Sequence, residues 1–335
     1  MKRAAYILGL AGLAAVIALI ARAGWQSVLA ALAVAGPALL WLVPLRVVPI
    51  GLDAIGWRLL LGPRDDRGRA RWPVLLCVAI VREAVNRLLP VAGVGGELVG
   101  IRILIRRGVE AAPAAASVIT EVVLTVLSLV LFAAFGLALF FASNGGNAPL
   151  HSAVLGVALT LPLPLACLWL IGEGRLASWF ARFAPLVAGG ARNAPAWLQS
   201  MPALGSELSA LVRRRGRLAL AAMFQLTGIA VGSFETWLAL RLLGHPVEIQ
   251  TALIIESVTL FARNLAFAVP AGLGAQEAGI VLICSAVGLG QDAALGLALV
   301  KRMREVLLGL PALVGWHLWE STRLRDLPGA AGASK

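Results

Sequence analysis

Two acidic residues stand in matching surroundings 180 positions apart. Glu97 closes the stretch Pro90-Val-Ala-Gly-Val-Gly-Gly-Glu97, and Glu277 closes Pro270-Ala-Gly-Leu-Gly-Ala-Gln-Glu277. In each stretch a proline and glycines (Gly95 and Gly96, Gly272 and Gly274) interrupt an apolar run. A carboxylate placed just after such a break opens a half-helix, where the helix dipole favours it. The same free amides attract the phosphate or carboxylate of a ligand. Arg82 and Asn86 precede the first break, and Arg263 and Asn264 precede the second. Glu121 and Arg302 lie further on, inside long apolar segments. A charge at bilayer depth costs roughly 2.5–3.5 kcal/mol on insertion scales, so a group of them marks a polar cavity. Two readings of Glu97 and Glu277 stay open: first-turn partners of the dipole, or cavity-facing carboxylates that titrate or pair with arginine. Arg82 and Arg263 either snorkel to an interface or line the same cavity. Arg302 and Arg304 sit too deep to snorkel, and one of them is expected to pair with Glu305 or Glu121. Asp53 and Glu235 read as isolated acids within reach of Arg46, Arg58 or Arg241.

Other chemistries find no support. The three cysteines (Cys77, Cys167, Cys284) form no CxxC pair, and the three histidines show no metal-ligand spacing, so no metal site is expected. None of the three lysines follows a phosphate-loop glycine pattern, and no nucleophile-elbow serine occurs. Asp65-Asp66 lack the second acidic cluster that a membrane prenyl transferase uses for Mg²⁺. The expectation is no cofactor and no catalytic residue.

The elements that carry these residues must be membrane helices. The 335 residues are 60% hydrophobic and only 14% charged, against about 25% charged in soluble domains, and mean hydropathy is +0.88. Apolar runs cover 4–21, 37–61, 72–89, 95–108, 112–141, 150–171, 217–243, 250–288 and 292–319. The first follows Lys2 and Arg3 and reads as a retained span rather than a cleaved signal. The formal charge is +12. By the positive-inside rule, the Arg-rich loops 62–71 and 173–216 and both termini lie in the cytoplasm, and the uncharged loop 142–149 lies outside. These assignments agree only if 72–108 enters and leaves from the cytoplasm and 250–288 enters and leaves from outside. Both read as re-entrant hairpins, which are tolerated where buried in protein or lining a cavity. Residues 176–212 read as an amphipathic helix on the membrane surface.

The chain therefore divides into repeat one (37–141), a linking segment (142–216), repeat two (217–319) and a tail (320–335), all within a single membrane domain (1–335). Each repeat is span, hairpin, long span, and the two start on opposite sides. The fold class is an all-α polytopic membrane protein built of inverted repeats, the pattern of secondary transporters with a site at the repeat interface.

The stretch Asn86-Arg-Leu-Leu-Pro-Val-Ala-Gly-Val-Gly-Gly-Glu97, continued by Gly100, Arg102, Arg107-Gly108 and Glu121, resembles the flippase-like membrane domain of lysylphosphatidylglycerol synthases. Pro270 to Glu277 resembles that family's second signature. The Pro-Val-Ala-x-Val-Gly-Gly-Glu form is most similar to the stand-alone hopanoid-biosynthesis-associated branch. No counterpart of the synthases' soluble aminoacyl-transferase domain is seen, so lysyl transfer is not expected. Many family members carry Arg and Asp one and four places after the glutamate equivalent to Glu121; Val122 and Thr125 stand here. The resemblance implies moving an amphipathic lipid, with a hopanoid or polar terpenoid as candidate, between leaflets or onward. An embedded lipid-modifying enzyme and a non-transporting scaffold for lipid synthesis are the alternatives. Expected partners are membrane lipids, with anionic headgroups at the cytoplasmic Arg clusters and no nucleic acid. The expected location is the bacterial inner membrane.

Overall fold

The computed structural model describes residues 36–62, 68–89, 95–144, 158–173, 201–265 and 274–325. Pro90, Pro270, Gly272, the first apolar run and most of the two long inter-repeat loops lie outside them. Every regular element among the described residues is helical. A 3₁₀ turn (Gly36–Trp41) leads into α1 (Leu42–Leu61), followed by α2 (Trp72–Leu88), α3 (Gly95–Arg106), α4 (Ala111–Asn144), α5 (Pro162–Gly172) and α6 (Met201–Arg213). Then come α7 (Arg215–Val231), α8 (Ser233–Leu242), α9 (Ile249–Leu265), α10 (Ala275–Ala286) and α11 (Gln291–Arg325).

Among the described residues three stretches are long and apolar enough to cross a membrane: Gly36–Leu61, Ala111–Ser143 and Arg215–Leu242. The last is broken by a turn at Gly232 into α7 and α8. The 35 residues of α11 reach about 52 Å at 1.5 Å per residue; its charges at Lys301 to Glu305 keep it from reading as a plain span. Each broken segment folds as two helices, with α3 packed back on α2 and α10 on α9.

The register seen in the sequence continues in the helices. α3 and α10 are both 12 residues long, and Gly95 and Arg106 stand 180 positions before Ala275 and Ala286. Both end alike. Gly108 (φ 89°) and Gly288 (φ 80°) take the left-handed conformation that glycine adopts without steric cost. The next amide then bonds back, Val109 to Leu104 and Leu289 to Cys284, which caps the helix. α4 and α11 start 180 residues apart as well.

Packing also follows this plan. One apolar core gathers Trp57, Leu61, Leu75, Val78, Leu104 and Val118 of α1–α4, with Trp316 and Trp319 of α11 against it. A second gathers Leu240, Ile255, Ile280, Ile283 and Leu297 of α8–α11, with Phe140 of α4 among them. Each long helix thus sends one end into the other half. α1 lies along α7, α2 along α11, and α4 along α9. Small residues let these backbones approach, as membrane helices require. α6 packs on α4 and α5, with Leu208 and Leu211 buried against Ala116 and Ile171. The described part of the expected surface helix therefore turns its apolar face to protein, because α4 and α5 offer it a complementary apolar groove.

A Cβ added at Gly136 would fall 2.5 Å from the Cβ of Ser257 across the α4–α9 contact, whereas one added at Gly315 meets nothing. Gly136→Ala should lose about 1–3 kcal/mol of stability, read as a lowered unfolding temperature in detergent, and Gly315→Ala should be neutral or slightly stabilising.

Candidate functional site

The interior charges form a belt of two groups, both carried in part by α2, and it draws on both halves. Its first part is built on α2 and α3. Gly96 and Gly100, one helical turn apart, bring α3 against α2: a Cβ at Gly100 would meet Arg82 Cδ at 2.7 Å, and one at Gly96 would meet Asn86 Cγ at 2.9 Å. That closeness lets Asn86 span the break, its Oδ1 accepting from the Gly96 amide at 2.7 Å and its Nδ2 donating to Glu97 at 3.2 Å. Arg82 donates to both Glu97 and Glu121, the latter at 2.7 Å. Its guanidinium lies 4.6 Å over the Trp57 ring, and Trp57 is held by a 3.1 Å hydrogen bond to Ser117. Arg82 and Glu121 are buried, so Arg82 does not snorkel. Gln225 of α7 donates to the Glu121 carbonyl and to the Thr125 hydroxyl. A side chain from the second half thus reaches one of the positions where the resemblance departs from the family pattern.

The second part is built on α9, α10 and α11. Glu277 both caps its helix and pairs with an arginine. Its Oε2 accepts from the Gly274 amide at 2.8 Å, capping α10, and its Oε1 accepts from Arg302 Nε at 2.8 Å. Arg263 donates to Gln276 at 2.8 Å and to Glu305 at 3.1 Å. Asn264 is not drawn in. One residue round the helix from Arg263, it is exposed and donates to the Leu260 carbonyl of its own helix.

The second part reaches α2, the helix that carries Arg82 of the first, through α11, whose Lys301, Arg302, Arg304 and Glu305 cover a wide face. Glu305 accepts from Arg87 of α2 at 3.1 Å as well as from Arg263 of α9. Arg87 neighbours Glu83 at 3.5 Å, and Glu83 accepts from Arg46 of α1 at 2.6 Å. Two deeper pairs hold α11 to α8 and α9. Arg304 lies 2.5 Å from Glu235, and Lys301 lies 2.5 Å from Glu256, which also accepts from Thr236. Arg302 and Arg304 both reach Glu305. Glu235 is therefore not isolated: its hydrogen-bonded partner is Arg304, with Arg46 near enough to attract it, and not Arg58 or Arg241. Arg58 donates to the Ala70 carbonyl and Arg241 stacks on Trp237.

Sequence reasoning named Arg82, Asn86, Glu97, Glu121, Arg263, Glu277 and Arg302 for the path, and the structure brings all of them into the belt. It counted Arg87, Gln276 and Lys301 among the groups at membrane depth without a place on the path, and gave Arg46 and Glu235 no role. The depth argument finds such residues, but it does not say which of them share partners. Among the described residues no group of three metal-ligating side chains occurs.

A family model described as lysylphosphatidylglycerol synthase TM region matches residues 6–312. No curated protein and no solved structure matches.

Breaking one buried pair is expected to cost far more than removing it. Lys301→Met strands Glu256 and should lose about 3–5 kcal/mol, whereas Lys301→Met with Glu256→Met should regain most of that. Unfolding temperatures of the two variants in one detergent make the comparison.

Proposed function

Because the chain belongs to the lysylphosphatidylglycerol synthase transmembrane-region family, a membrane domain associated with lipid handling, we propose that it moves an amphipathic lipid across or out of the membrane. The lipid's headgroup follows the interior belt and its tails stay in the surrounding lipid. The observation that carries this reading is the belt itself. Charged side chains from both halves are paired and buried inside a protein whose exterior is strongly apolar. Structural stapling needs few such pairs, because each offers little or no net stability over an apolar replacement. Two such groups sharing α2 suit a polar group that must be handed through lipid.

The matched bounds of α3 and α10, and the exchange of long-helix ends between the cores, support a two-fold plan of span, hairpin and long span. We read the halves as inverted, with Arg-rich 62–71 and 173–216 and both termini in the cytoplasm of a bacterium and the hairpins entering from opposite faces. In this reading anionic headgroups of the inner membrane contact the cytoplasmic arginines. The cargo is a polar-headed terpenoid such as a hopanoid. The drive is an ion gradient or the lipid's own gradient, with no nucleotide and no covalent change.

Reconstitution into liposomes tests this. A labelled polar lipid should exchange between leaflets with its mass unchanged, and Glu97→Gln with Glu277→Gln should slow exchange about tenfold or more, the effect of about 1.4 kcal/mol on a barrier. Full exchange in the double variant removes these carboxylates from the path. A changed lipid mass makes the protein an enzyme instead.

A further inference from the structure

Glu305 is surrounded by more positive charge than one carboxylate needs. Arg87 and Arg263 each place an Nη1 at 3.1 Å from it, Arg302 at 3.0 Å, and Arg304 places an Nη2 at 3.6 Å. Three of these arginines share a second acid: Glu83 beside Arg87, Glu277 on Arg302, and Glu235 on Arg304. Arg263 is different, for its other partner is the neutral amide oxygen of Gln276. Glu83 is shared with Arg46 as well. The cluster of Arg46, Arg87, Arg263, Arg302 and Arg304 against Glu83, Glu235, Glu277 and Glu305 is thus left with one unmatched positive charge.

The buried hydrogen-bonding groups of the cluster leave one more donor open than acceptor. Gln276 Nε2 and Arg304 Nε are buried donors with no acceptor among the described residues, against one buried acceptor of the cluster without a donor, Glu235 Oε1; Gln276 and Arg304 are only 3% and 5% exposed. A buried donor without a partner costs about 1–3 kcal/mol. An excess donor and a surplus cation in one cluster call for a group that is anionic and rich in acceptors. Guanidinium forks match a phosphate or a carboxylate. A small cavity between α2 and α11 opens onto the cluster, with Glu83, Arg87, Arg304, Glu305 and Gly309 in its wall.

We infer that this cluster is a binding site for an acidic group, a phosphate or carboxylate, and that Glu305 is its built-in substitute. The incoming anion displaces the Glu305 carboxylate and takes over Arg87 and Arg263. With no ligand bound, Glu305 holds the arginines together and ties α2 and α9 to α11. The inference rests on the lipid-moving reading and names the part of the cargo that is gripped.

The test uses the purified full chain in phosphatidylcholine nanodiscs, with tryptophan fluorescence titrations of dihexanoyl phosphatidylglycerol, dihexanoyl phosphatidylcholine and inorganic phosphate. The wild type should prefer the anionic lipid. Arg263→Gln should weaken its binding about tenfold, the loss of one charge-assisted contact. Glu305→Gln, which removes the competing carboxylate, should tighten it several-fold and leave phosphatidylcholine unchanged. A merely structural Glu305 would give weaker binding in that variant. Inorganic phosphate that follows the same variant order supports the site and makes the free anion sufficient; a response to the anionic lipid alone supports the site and makes the ligand lipid-borne. Equal affinities across the wild type and both variants, or weaker binding in Glu305→Gln, overturn the inference. If Glu305→Gln does not fold, Arg263→Gln decides alone. Leaflet exchange of a neutral labelled lipid is measured in parallel. Exchange without anion preference overturns this inference and leaves the transport reading standing, whereas anion preference without exchange of any lipid overturns the transport reading.

Discussion

A charged side chain in lipid must find a partner or stay near the surface, because no water is there to solvate it. That constraint organises this protein more than any apolar contact does. Lys301, Arg302, Arg304 and Glu305 occupy just over one turn of α11, so they point toward several neighbours at once. Their partners fix where α2, α8, α9 and α10 can lie: Arg87 on α2, Glu235 on α8, Glu256 on α9 and Glu277 on α10. Helices that were only greasy could rotate and slide against each other. Helices joined by buried ion pairs cannot rotate without stranding a charge.

Small residues make that arrangement possible. Gly96 and Gly100 bring α3 close enough for Glu97 to reach Arg82. Gly309 leaves room for Leu88 where α2 meets α11, since a Cβ there would lie 2.6 Å from Leu88 Cδ1. Close backbones and long charged side chains therefore work together. The glycines set the spacing, and the arginines bridge what is left. The same geometry is suited to change, for an arginine between two acids can exchange one for the other at little cost. Arg82 between Glu97 and Glu121, and Arg302 between Glu277 and Glu305, are placed for such exchanges.

Much of this was legible in the sequence. The 180-residue offset of Pro90 and Pro270, and of Glu97 and Glu277, recurs in the bounds of α3 and α10; the run 95–108 anticipated α3 closely because a glycine break is a local signal, whereas α10 was read only as part of 250–288. Helix type and approximate bounds followed from apolar run length alone. Pairing was not legible. Adjacent residues point about 100° apart on a helix, so Arg263 faces the belt while Asn264 faces away, and only the packed neighbours decide which. Glu235 finds Arg304 across 69 positions, and Arg46 finds Glu83 across 37; no spacing rule reaches that far. The 176–212 segment reads as amphipathic in sequence, but amphipathicity does not say whether protein or lipid takes the apolar face.

The central claim is that the belt is a polar path and not a set of internal staples. Single cysteines placed at Asn86, Gln276 and Glu121 in a chain lacking its own cysteines test it, with a small membrane-impermeant thiol reagent applied to sealed vesicles from either side. On a path, water and small ions reach the belt, so at least Asn86 and Gln276 react measurably, while a cysteine at apolar, equally buried Leu124 on α4 does not. If all belt positions stay as unreactive as Leu124 from both sides, under conditions where reconstituted protein exchanges lipid, the charges are staples and the path lies elsewhere.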